Sequence, residues 1–255
     1  MKKGLRDRII ERKPLLLLGV SLFDSSVVEM AALAGCDGVV IDSCQTRWSP
    51  ERVREMILAS DSRGIYTIIR AANAEDALSV LDYGADAVMF DQIESVDEVM
   101  KLVEKCKYPP VGKRGMSARS RSKEYGLISA NESIHFCNSQ TLLIIQIETK
   151  AGLDNIDEIL SVQGIDMVSS GRNDLALSLG VPGETSAPIV LEAEKKICEA
   201  SVKHNMLPVL MTASDRLEAE QLIKNGMTVI SIGNDTNLLL SSIKNKVKEI
   251  QKAYI

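Results

Sequence analysis

Several short apolar runs of the chain end in acidic, amide or guanidinium side chains. Asp42, Arg70 and the pair Gln146 and Glu148 each close such a run, and Asp174 follows another by four residues. Carboxylates and amides suit a hard divalent cation such as Mg²⁺, which keeps positions for water and substrate. A 2-oxo acid would fill two of those positions, and the cation would polarise its keto group while the arginine gripped an oxygen. This spacing therefore favours metal-assisted chemistry on a 2-oxo acid.

Structural roles compete with this interpretation at each position. Asp42 and Asp174 could cap helices, for which aspartate is a favoured residue. Arg70 could be a solvated surface residue that happens to follow an apolar run. Taken singly these alternatives stay open, but four polar residues at the ends of successive runs favour a shared site.

Eight apolar runs predict the strands that would position these residues. Continuous runs of this length indicate a parallel sheet buried on both faces. Helical patterns separate most of them, and turn glycines precede several. The predicted strands are Leu15–Ser21, Gly38–Asp42, Tyr66–Arg70, Ala87–Phe90, Leu142–Glu148, Asp166–Ser170, Leu207–Met211 and Thr228–Ile232.

Eight β–α units in 255 residues predict one (β/α)8 TIM barrel, whose usual size is roughly 250 residues. We expect a single domain over residues 1–255 that closes with a long helix, Asn237–Tyr254. In such a barrel the carboxyl ends of all strands meet at one mouth, where catalytic groups lie. The unit after the fourth strand carries a glycine- and arginine-rich loop, Pro109–Gly126, and then a second predicted helix, Leu127–Cys137.

Composition and missing motifs exclude several functions. A net charge of -5 argues against a nucleic-acid partner, and the run Leu15–Val20 is too short to span a membrane. Five cysteines, an odd number without CxxC spacing, indicate reduced thiols in the cytoplasm. His135 and His204 lie in helical stretches, so imidazole base chemistry has no candidate at the mouth. No predicted strand contains a lysine for a Schiff base.

Five segments together resemble the HpcH/HpaI aldolase family, over nearly the whole chain. They are GCDGVVIDS (35–43), IIRAAN (68–73), YPPVGKRGMS (108–117), IIQIETKAGLDNID (144–157) and SSGRNDLALSLG (169–180). The resemblance implies a class II, metal-dependent pyruvate aldolase on a (β/α)8 barrel. It implies that Glu148 and Asp174 bind the metal, that Arg70 steadies the keto or enolate oxygen, and that Gln146 lines the pocket. It also implies a homo-oligomer, from dimer to hexamer, with the terminal helix exchanged between subunits.

Two departures from the family pattern change the expected reaction. The family carries Asp-Gly-Glu-His after the second strand, and its histidine is the acid/base group. Here the segment is Asp42-Ser43-Cys44-Gln45, and Gln45 takes up no proton at neutral pH. Asp82, which resembles the aspartate that pairs with that histidine, is expected to lack its partner. The second departure is Gly171-Arg172-Asn173-Asp174 in place of Gly-Pro-Ala/Ser-Asp, which adds a cation beside a metal ligand.

Without this histidine the chain departs from the ordinary aldolases. It resembles one branch of the family that catalyses a different reaction, the citrate synthases of siderophore biosynthesis. These condense oxaloacetate with acetyl-CoA, so acetyl-CoA becomes the expected cosubstrate. Asp42, Arg70 and Gln45 are then the predicted catalytic positions. The predicted substrate-binding residues are Gln146, Arg172, Asn173, Arg114, Arg119 and Arg121, although the loop arginines could equally form a solvated turn. Two alternatives remain: a retro-aldolase that releases pyruvate from a 4-hydroxy-2-oxo acid, and an inactive barrel that binds a 2-oxo acid.

Overall fold

A closed eight-stranded barrel forms the centre of the molecule. The computed structural model describes residues 3–22, 24–46 and 48–254. In this part of the chain the strands pair in parallel in sequence order, and β8 returns to β1. They are β1 Leu15–Val20, β2 Gly38–Asp42, β3 Tyr66–Arg70, β4 Ala87–Phe90, β5 Leu142–Ile147, β6 Met167–Ser170, β7 Leu207–Thr212 and β8 Val229–Asn234. The predicted (β/α)8 class is confirmed, and strand ends differ from prediction by two residues at most.

Helices follow the strands around the outside of the barrel. In the described ranges they are α1 Leu5–Ile10, α2 Ser25–Leu33, α3 Pro50–Arg63, α4 Ala74–Tyr83, α5 Val96–Cys106, α6 Ala130–Gln140, α7 Lys150–Asp154, α8 Ile156–Leu160, α9 Arg172–Ser178, α10 Pro188–Lys203, α11 Arg216–Lys224 and α12 Asp235–Gln251. The sequence pattern predicts helices over Pro50–Arg63, Ala74–Tyr83 and Val96–Cys106, and α3, α4 and α5 have the same bounds.

Side-chain capping explains where two other helices begin. The predicted helix Leu127–Cys137 starts later, at Ala130, because the Ser129 hydroxyl accepts the Glu132 N–H and the Glu132 carboxylate accepts the Ser129 N–H. The last helix starts earlier than expected because the Asn234 side chain caps it by accepting the Asn237 N–H. Local hydrogen bonds at the first turn, rather than the apolar pattern, therefore set these boundaries.

Alternate residues of the strands fill two apolar regions. One set packs between the sheet and the helices, and includes Val39, Ile41, Ile145 and Ile147. The other set fills the barrel interior, as the two-residue period of a strand requires. Helix α1 closes the amino end of the interior with Leu5 and Ile9, which leaves the carboxyl end as the open mouth.

The final helix α12 contributes little to this core. Asp235 is its buried residue, whereas its apolar side chains are exposed along its length. These are Leu238, Leu239, Leu240, Ile243, Val247 and Ile250. None of the helices in the described ranges combines the length and the apolar character that crossing a membrane requires.

Candidate active site

The carboxyl ends of β2 and β3 bring Asp42 and Arg70 together. They are register partners on adjacent strands, and Asp91 follows β4 at the same end of the barrel. The Arg70 guanidinium donates from Nε to Asp91 Oδ1 at 3.1 Å and from Nη2 to Asp91 Oδ2 at 2.6 Å. Its Nη1 lies 3.4 Å from Asp42 Oδ2. Two carboxylates therefore hold Arg70, and Nη1 is the nitrogen with the weakest contact and the most capacity to bind a ligand oxygen.

Arg70 is charged despite its position. Burial alone would lower the pKa of the guanidinium, but hydrogen bonds to Asp91 and the charges of Asp91, Asp42 and Glu148 raise it above its ordinary value. A fixed, partly desolvated arginine of this kind can stabilise a developing oxyanion without reorganising during the reaction. The surroundings of Arg70 permit the chemistry predicted for it, which stays a prediction.

Asp42 orders the loop that follows β2. Its Oδ1 accepts the backbone N–H groups of Cys44, at 3.1 Å, and Gln45, at 2.9 Å. Asp42 therefore orders a loop and does not cap the next helix, since Ser49 is the N-cap residue of α3. This role coexists with the contact to Arg70. The Gln45 side chain is exposed at the rim of the mouth, and its neutral amide takes up no proton at neutral pH.

Glu148 is the most deeply buried carboxylate at the mouth, with 1% of its surface exposed. Its Oε1 accepts the Gln92 N–H at 3.1 Å, and its Oε2 accepts the Gln146 side-chain amide. Burial raises the pKa of Glu148 to about 7; the Gln146 hydrogen bond opposes the rise, and the charges of Asp91 and Asp174 add to it. In the described ranges no cationic side chain forms a salt bridge with Glu148.

The turn between β6 and α9 passes directly over Glu148. A Cβ atom at Gly171 would collide with Glu148 Oε2 and with the Gln146 amide nitrogen, so only glycine permits this approach. Asp174 follows in the first turn of α9, half-buried, and its charge acts on Glu148. Asp174 therefore lies close enough to Glu148 for its charge to raise the Glu148 pKa, and metal binding by this pair stays a prediction.

These residues fit a hard divalent cation. Among the residues that the structure describes, no three histidine, cysteine or acidic side chains form a ready-made metal cage. One or two carboxylates are nonetheless what Mg²⁺ commonly takes from a protein, because water and substrate supply its remaining ligands. Burial raises the pKa of Glu148, and a divalent cation bound beside it would favour the charged form of the carboxylate instead.

Arg172 does not point a free guanidinium into the mouth, contrary to expectation. It donates to both carboxylate oxygens of Glu194, with distances from 2.7 to 3.1 Å, and to Glu218 at 2.6 Å. A ligand carboxylate would have to displace one of these glutamates. The substrate-binding role predicted for Arg172 is therefore corrected, whereas its neighbour Asn173 is exposed in the first turn of α9 and free to contact a ligand.

Two loop arginines lie at the other end of the barrel. Arg114 pairs with Asp82 at 2.6 Å, and Arg121 pairs with Asp61 at 2.6 Å. Asp82 and Asp61 stand near the C-terminal ends of α4 and α3, which lie beside the amino ends of the strands because helices and strands run in opposite directions. The prediction that Arg114 and Arg121 serve this mouth is wrong within one chain, and Asp82 has a partner after all. Arg119 is exposed in the loop.

Sequence reasoning missed Asp91 and Gln92. The strand-end rule that found Asp42 and Arg70 would also have found Asp91, which directly follows the predicted strand Ala87–Phe90. Gln92 adopts a left-handed backbone, with φ of 54°, while it directs its N–H toward Glu148. Such strain in a residue other than glycine is often found where a site must be held in one geometry.

The absence of imidazole at the mouth agrees with expectation. His135 lies in α6, and His204 follows α10, where its Nε2 is 2.9 Å from Asp157 on the outer surface. The sequence contains these two histidines and no others. Proton transfer by histidine is therefore unavailable from this chain at the mouth.

Comparisons with known proteins place this site in a family. The HpcH/HpaI aldolase/citrate lyase family model matches residues 16–242, and the chain belongs to that family, whose members are metal-dependent enzymes acting on 2-oxo acids. A hydroxypyruvate/pyruvate aldolase of Roseobacter denitrificans is 30% identical over 89% of this chain and 88% of its own.

Solved structures show the same fold. Citrate synthase SbnG superposes with a TM-score of 0.90 at 23% identity, over 98% of each chain. A citrate lyase beta subunit from M. tuberculosis, complexed with oxaloacetate and magnesium, superposes with a TM-score of 0.59 at 19% identity, over 86% of this chain and 92% of its own. At these identities the likeness concerns the fold.

Proposed function

We propose that this enzyme forms a carbon–carbon bond at the keto carbon of a metal-bound 2-oxo acid, and that the reaction condenses oxaloacetate with acetyl-CoA to give citrate. One observation carries the proposal. The mouth holds the buried Glu148 carboxylate, whose pKa the charge of Asp174 raises, and an arginine fixed by Asp91, whereas the position of the family histidine is occupied by Gln45, exposed at the rim.

Glu148 and Asp174 would hold the divalent cation, which we propose to be Mg²⁺. When bound, the cation would polarise the keto group of the 2-oxo acid. Support comes from the donor set, from membership of a metal-dependent family, and from the related citrate lyase subunit described with oxaloacetate and magnesium. Gln146 fixes the orientation of the Glu148 carboxylate through its amide.

Arg70 meets the charge that develops on the keto oxygen. In the condensation, the methyl carbon of the acetyl group loses a proton to a base and attacks the keto carbon, and the keto oxygen becomes an alkoxide that then takes up a proton. Water cleaves the C–S bond of the resulting thioester, which releases citrate and the free thiol of CoA. Arg70 Nη1 can donate to that oxygen because Asp91 fixes the other two nitrogens. The proton is lost from the acetyl group of a second molecule, so an imidazole near the 2-oxo acid is not required. Asn173 and Gln45 supply uncharged donors at the rim.

The test is incubation of the enzyme with oxaloacetate, acetyl-CoA and Mg²⁺, with free thiol and citrate measured together. The proposal expects thiol and citrate in equal amounts, and no thiol when oxaloacetate is omitted. Thiol release without citrate would contradict it, because that result indicates thioester hydrolysis alone.

Retro-aldol cleavage is the second candidate, and a specific similarity favours it. The aldolase of Roseobacter denitrificans is 30% identical to this chain, more than the citrate synthase structure. In this case 4-hydroxy-2-oxo acids would yield pyruvate, and oxaloacetate with acetyl-CoA would yield no thiol. If both assays fail while the protein still binds pyruvate in the presence of Mg²⁺, the chain is an inactive barrel that binds 2-oxo acids.

The exposed apolar face of α12 supports a homo-oligomer, between a dimer and a hexamer. Leu239, Ile243, Val247 and Ile250 recur on a helix that leaves them about half exposed, and such a stripe favours burial against another protein surface. Light scattering of the full chain should show more than one subunit. We also propose a cytoplasmic enzyme, in keeping with five cysteines that are all free thiols in the structure.

A further inference from the structure

The short helix that carries Asp174 has little to hold its start in place by itself. Helix α9 has seven residues, and Gly171 at its N-cap offers no side-chain hydrogen bond. Asp174 nevertheless has to face Glu148 if both are to bind one cation. The position of this helix must therefore be set by contacts outside it.

Leu175 and Ala176 pack α9 against the core, and Arg172, the first residue of the helix, makes the polar contacts that fix its start. Its Nε and Nη2 bind the Glu194 carboxylate, and its Nη1 binds Glu218 Oε1. Glu194 is 5% exposed in the middle of α10, and Glu218 belongs to α11. One guanidinium thus ties the start of α9 to two neighbouring helices.

The same network also holds the end of β6. Ser170 Oγ donates to Glu194 Oε1 at 2.9 Å, so Glu194 grips the chain on both sides of Gly171. Glu218 is fixed in turn, because its Oε2 accepts the backbone N–H and the hydroxyl of Ser214 at 2.8 and 2.7 Å. All of these polar groups are satisfied by one another rather than by a ligand.

Gly171 makes the metal site sensitive to this anchoring. Its backbone lies so close to Glu148 and Gln146 that a Cβ would not fit. Any shift in the start of α9 would therefore move Asp174 relative to Glu148 and disturb Glu148 itself. Groups that orient metal ligands in this indirect way typically change metal affinity by about 10–100-fold when they are removed.

We propose that Arg172 is a positioning residue, which acts through Glu194 and Glu218 to hold Asp174 and so sets the affinity of the site for a divalent cation. This inference rests on the metal site of the proposed function. It gives Arg172 a role in place of the substrate binding that sequence suggested, and it assigns a role to Glu194 and Glu218, which lie outside the mouth.

The test is titration of metal-free protein with Mn²⁺, followed by electron paramagnetic resonance of the free ion. Arg172→Met should weaken Mn²⁺ binding by about tenfold or more. The direction of the change is diagnostic, since loss of a positive charge near the site would by itself tighten binding of a cation. Arg216→Met is the matched control, because Arg216 forms an exposed ion pair with Glu220 on α11 and should leave the affinity unchanged.

A second variant separates positioning from a simple loss of stability. Arg172→Met leaves Glu194 buried without its cation, which destabilises the fold. Arg172→Met combined with Glu194→Leu removes that unpaired charge, so its melting temperature should recover relative to the single variant. Its Mn²⁺ affinity should remain weak, because α9 is still not anchored.

Two outcomes overturn the inference. One is a folded Arg172→Met protein that binds Mn²⁺ as tightly as the parent or more tightly. The other is a double variant that regains both stability and Mn²⁺ affinity. Glu148→Gln, titrated in parallel, distinguishes failure of this inference from failure of the proposed metal site. If Glu148→Gln binds Mn²⁺ as tightly as the parent, Glu148 is not a metal ligand and the proposed site is wrong.

Discussion

Buried carboxylates lie at both ends of the barrel, but their surroundings differ. At the amino end, Asp166 accepts the Lys107 ammonium at 2.7 Å, the Leu143 N–H at 2.7 Å and the Arg6 guanidinium. Lys107 also donates to the Thr141 carbonyl at 2.8 Å. At the mouth, Glu148 has hydrogen-bond donors from an amide side chain and a backbone N–H, but no cation bound to it among the described residues.

This difference shows what each end of the barrel is built to do. Charges at the amino end are satisfied within the chain, so they need no ligand and hold α1, β5 and β6 together. Among the described residues, the mouth instead brings the carboxylates of Asp42, Asp91 and Glu148 near the guanidinium of Arg70, and Asp174 adds its charge beside Glu148. An excess of buried negative charge costs stability, and that cost is expected at a site whose missing charge comes from a ligand.

Replacement of Glu148 or Asp174 should have the largest functional effect. Glu148→Gln and Asp174→Asn each remove a ligand of the divalent cation, so we expect activity to fall by about a thousandfold, equivalent to roughly 4 kcal/mol of barrier. The metal-free fold should be as stable as the parent or more stable, because a surplus charge is gone. Mg²⁺ titration by calorimetry and a melting curve check both statements. Parent-like Mg²⁺ binding in either variant would show that the ligand assignment is wrong.

Replacement of the buried carboxylate at the amino end should lower the stability of the fold and leave Mg²⁺ affinity unchanged. Asp166→Asn leaves Lys107 buried without its carboxylate, and breaking a buried ion pair in this way typically costs about 3–5 kcal/mol. Chemical denaturation should show this loss, while the Mg²⁺ affinity of the folded fraction should match that of the parent. If Asp166→Asn is as stable as the parent, the contrast between the two ends does not hold.

Arg70→Ala should lower turnover by about a hundredfold or more, the scale expected for one oxyanion donor. The loss should appear in kcat, whereas Mg²⁺ affinity should not fall. Arg70 contacts Asp42 and Asp91 and not the proposed metal ligands, and removal of its positive charge would by itself tighten cation binding. Steady-state kinetics and Mg²⁺ titration on the same preparation provide the check. A turnover within a few-fold of the parent would remove Arg70 from the mechanism.

Asp91→Asn should have a smaller effect of the same kind. The amide keeps one acceptor for Arg70 but loses the bidentate ion pair, so Arg70 becomes less fixed, and we expect kcat to fall by about tenfold, within the usual range for an orienting group. Arg70 should then be free to bind added carboxylates, so inhibition by acetate should strengthen. Unchanged kcat and unchanged inhibition would indicate that Asp91 has no influence on Arg70.

The contrast between the ends also explains which features were predictable from sequence. Strand positions follow from local apolar runs, so the barrel and the placement of Asp42, Arg70, Glu148 and Asp174 near its mouth could be predicted. Asp91 could have been found by the same rule.

The partners of the arginines could not be predicted in this way. Arg172 meets Glu194 and Glu218, which lie 22 and 46 residues further along the chain. Arg114 meets Asp82 across 32 residues. Such pairs depend on how outer helices pack, and the apolar pattern of the chain carries no information about the order in which charged groups on those helices meet.

The smallest expected effect on the proposed reaction comes from Gln45→His, which restores the histidine of the family pattern at the rim. If the enzyme is a synthase, the proton is removed from acetyl-CoA, and the alkoxide formed from the keto oxygen is met by Arg70. An imidazole beside oxaloacetate then has no step to assist. It could instead remove a proton from the wrong carbon or promote decarboxylation, since its ordinary pKa is near neutrality. We expect citrate formation within about twofold of the parent, because an exposed rim substitution usually perturbs little, together with a new release of pyruvate from oxaloacetate.

Two parallel assays decide this last prediction: thiol release with acetyl-CoA present, and pyruvate release without it, for parent and variant. Gln45→Asn, which keeps an uncharged amide, is the matched control and should resemble the parent in both. If the parent is inactive in the thiol assay and Gln45→His gains strong cleavage of 4-hydroxy-2-oxo acids, the chain is an aldolase that has lost its acid/base group. The histidine then supplies what the mouth lacked, because the rest of that mouth, from the carboxylates to the clamped Arg70, is already in place.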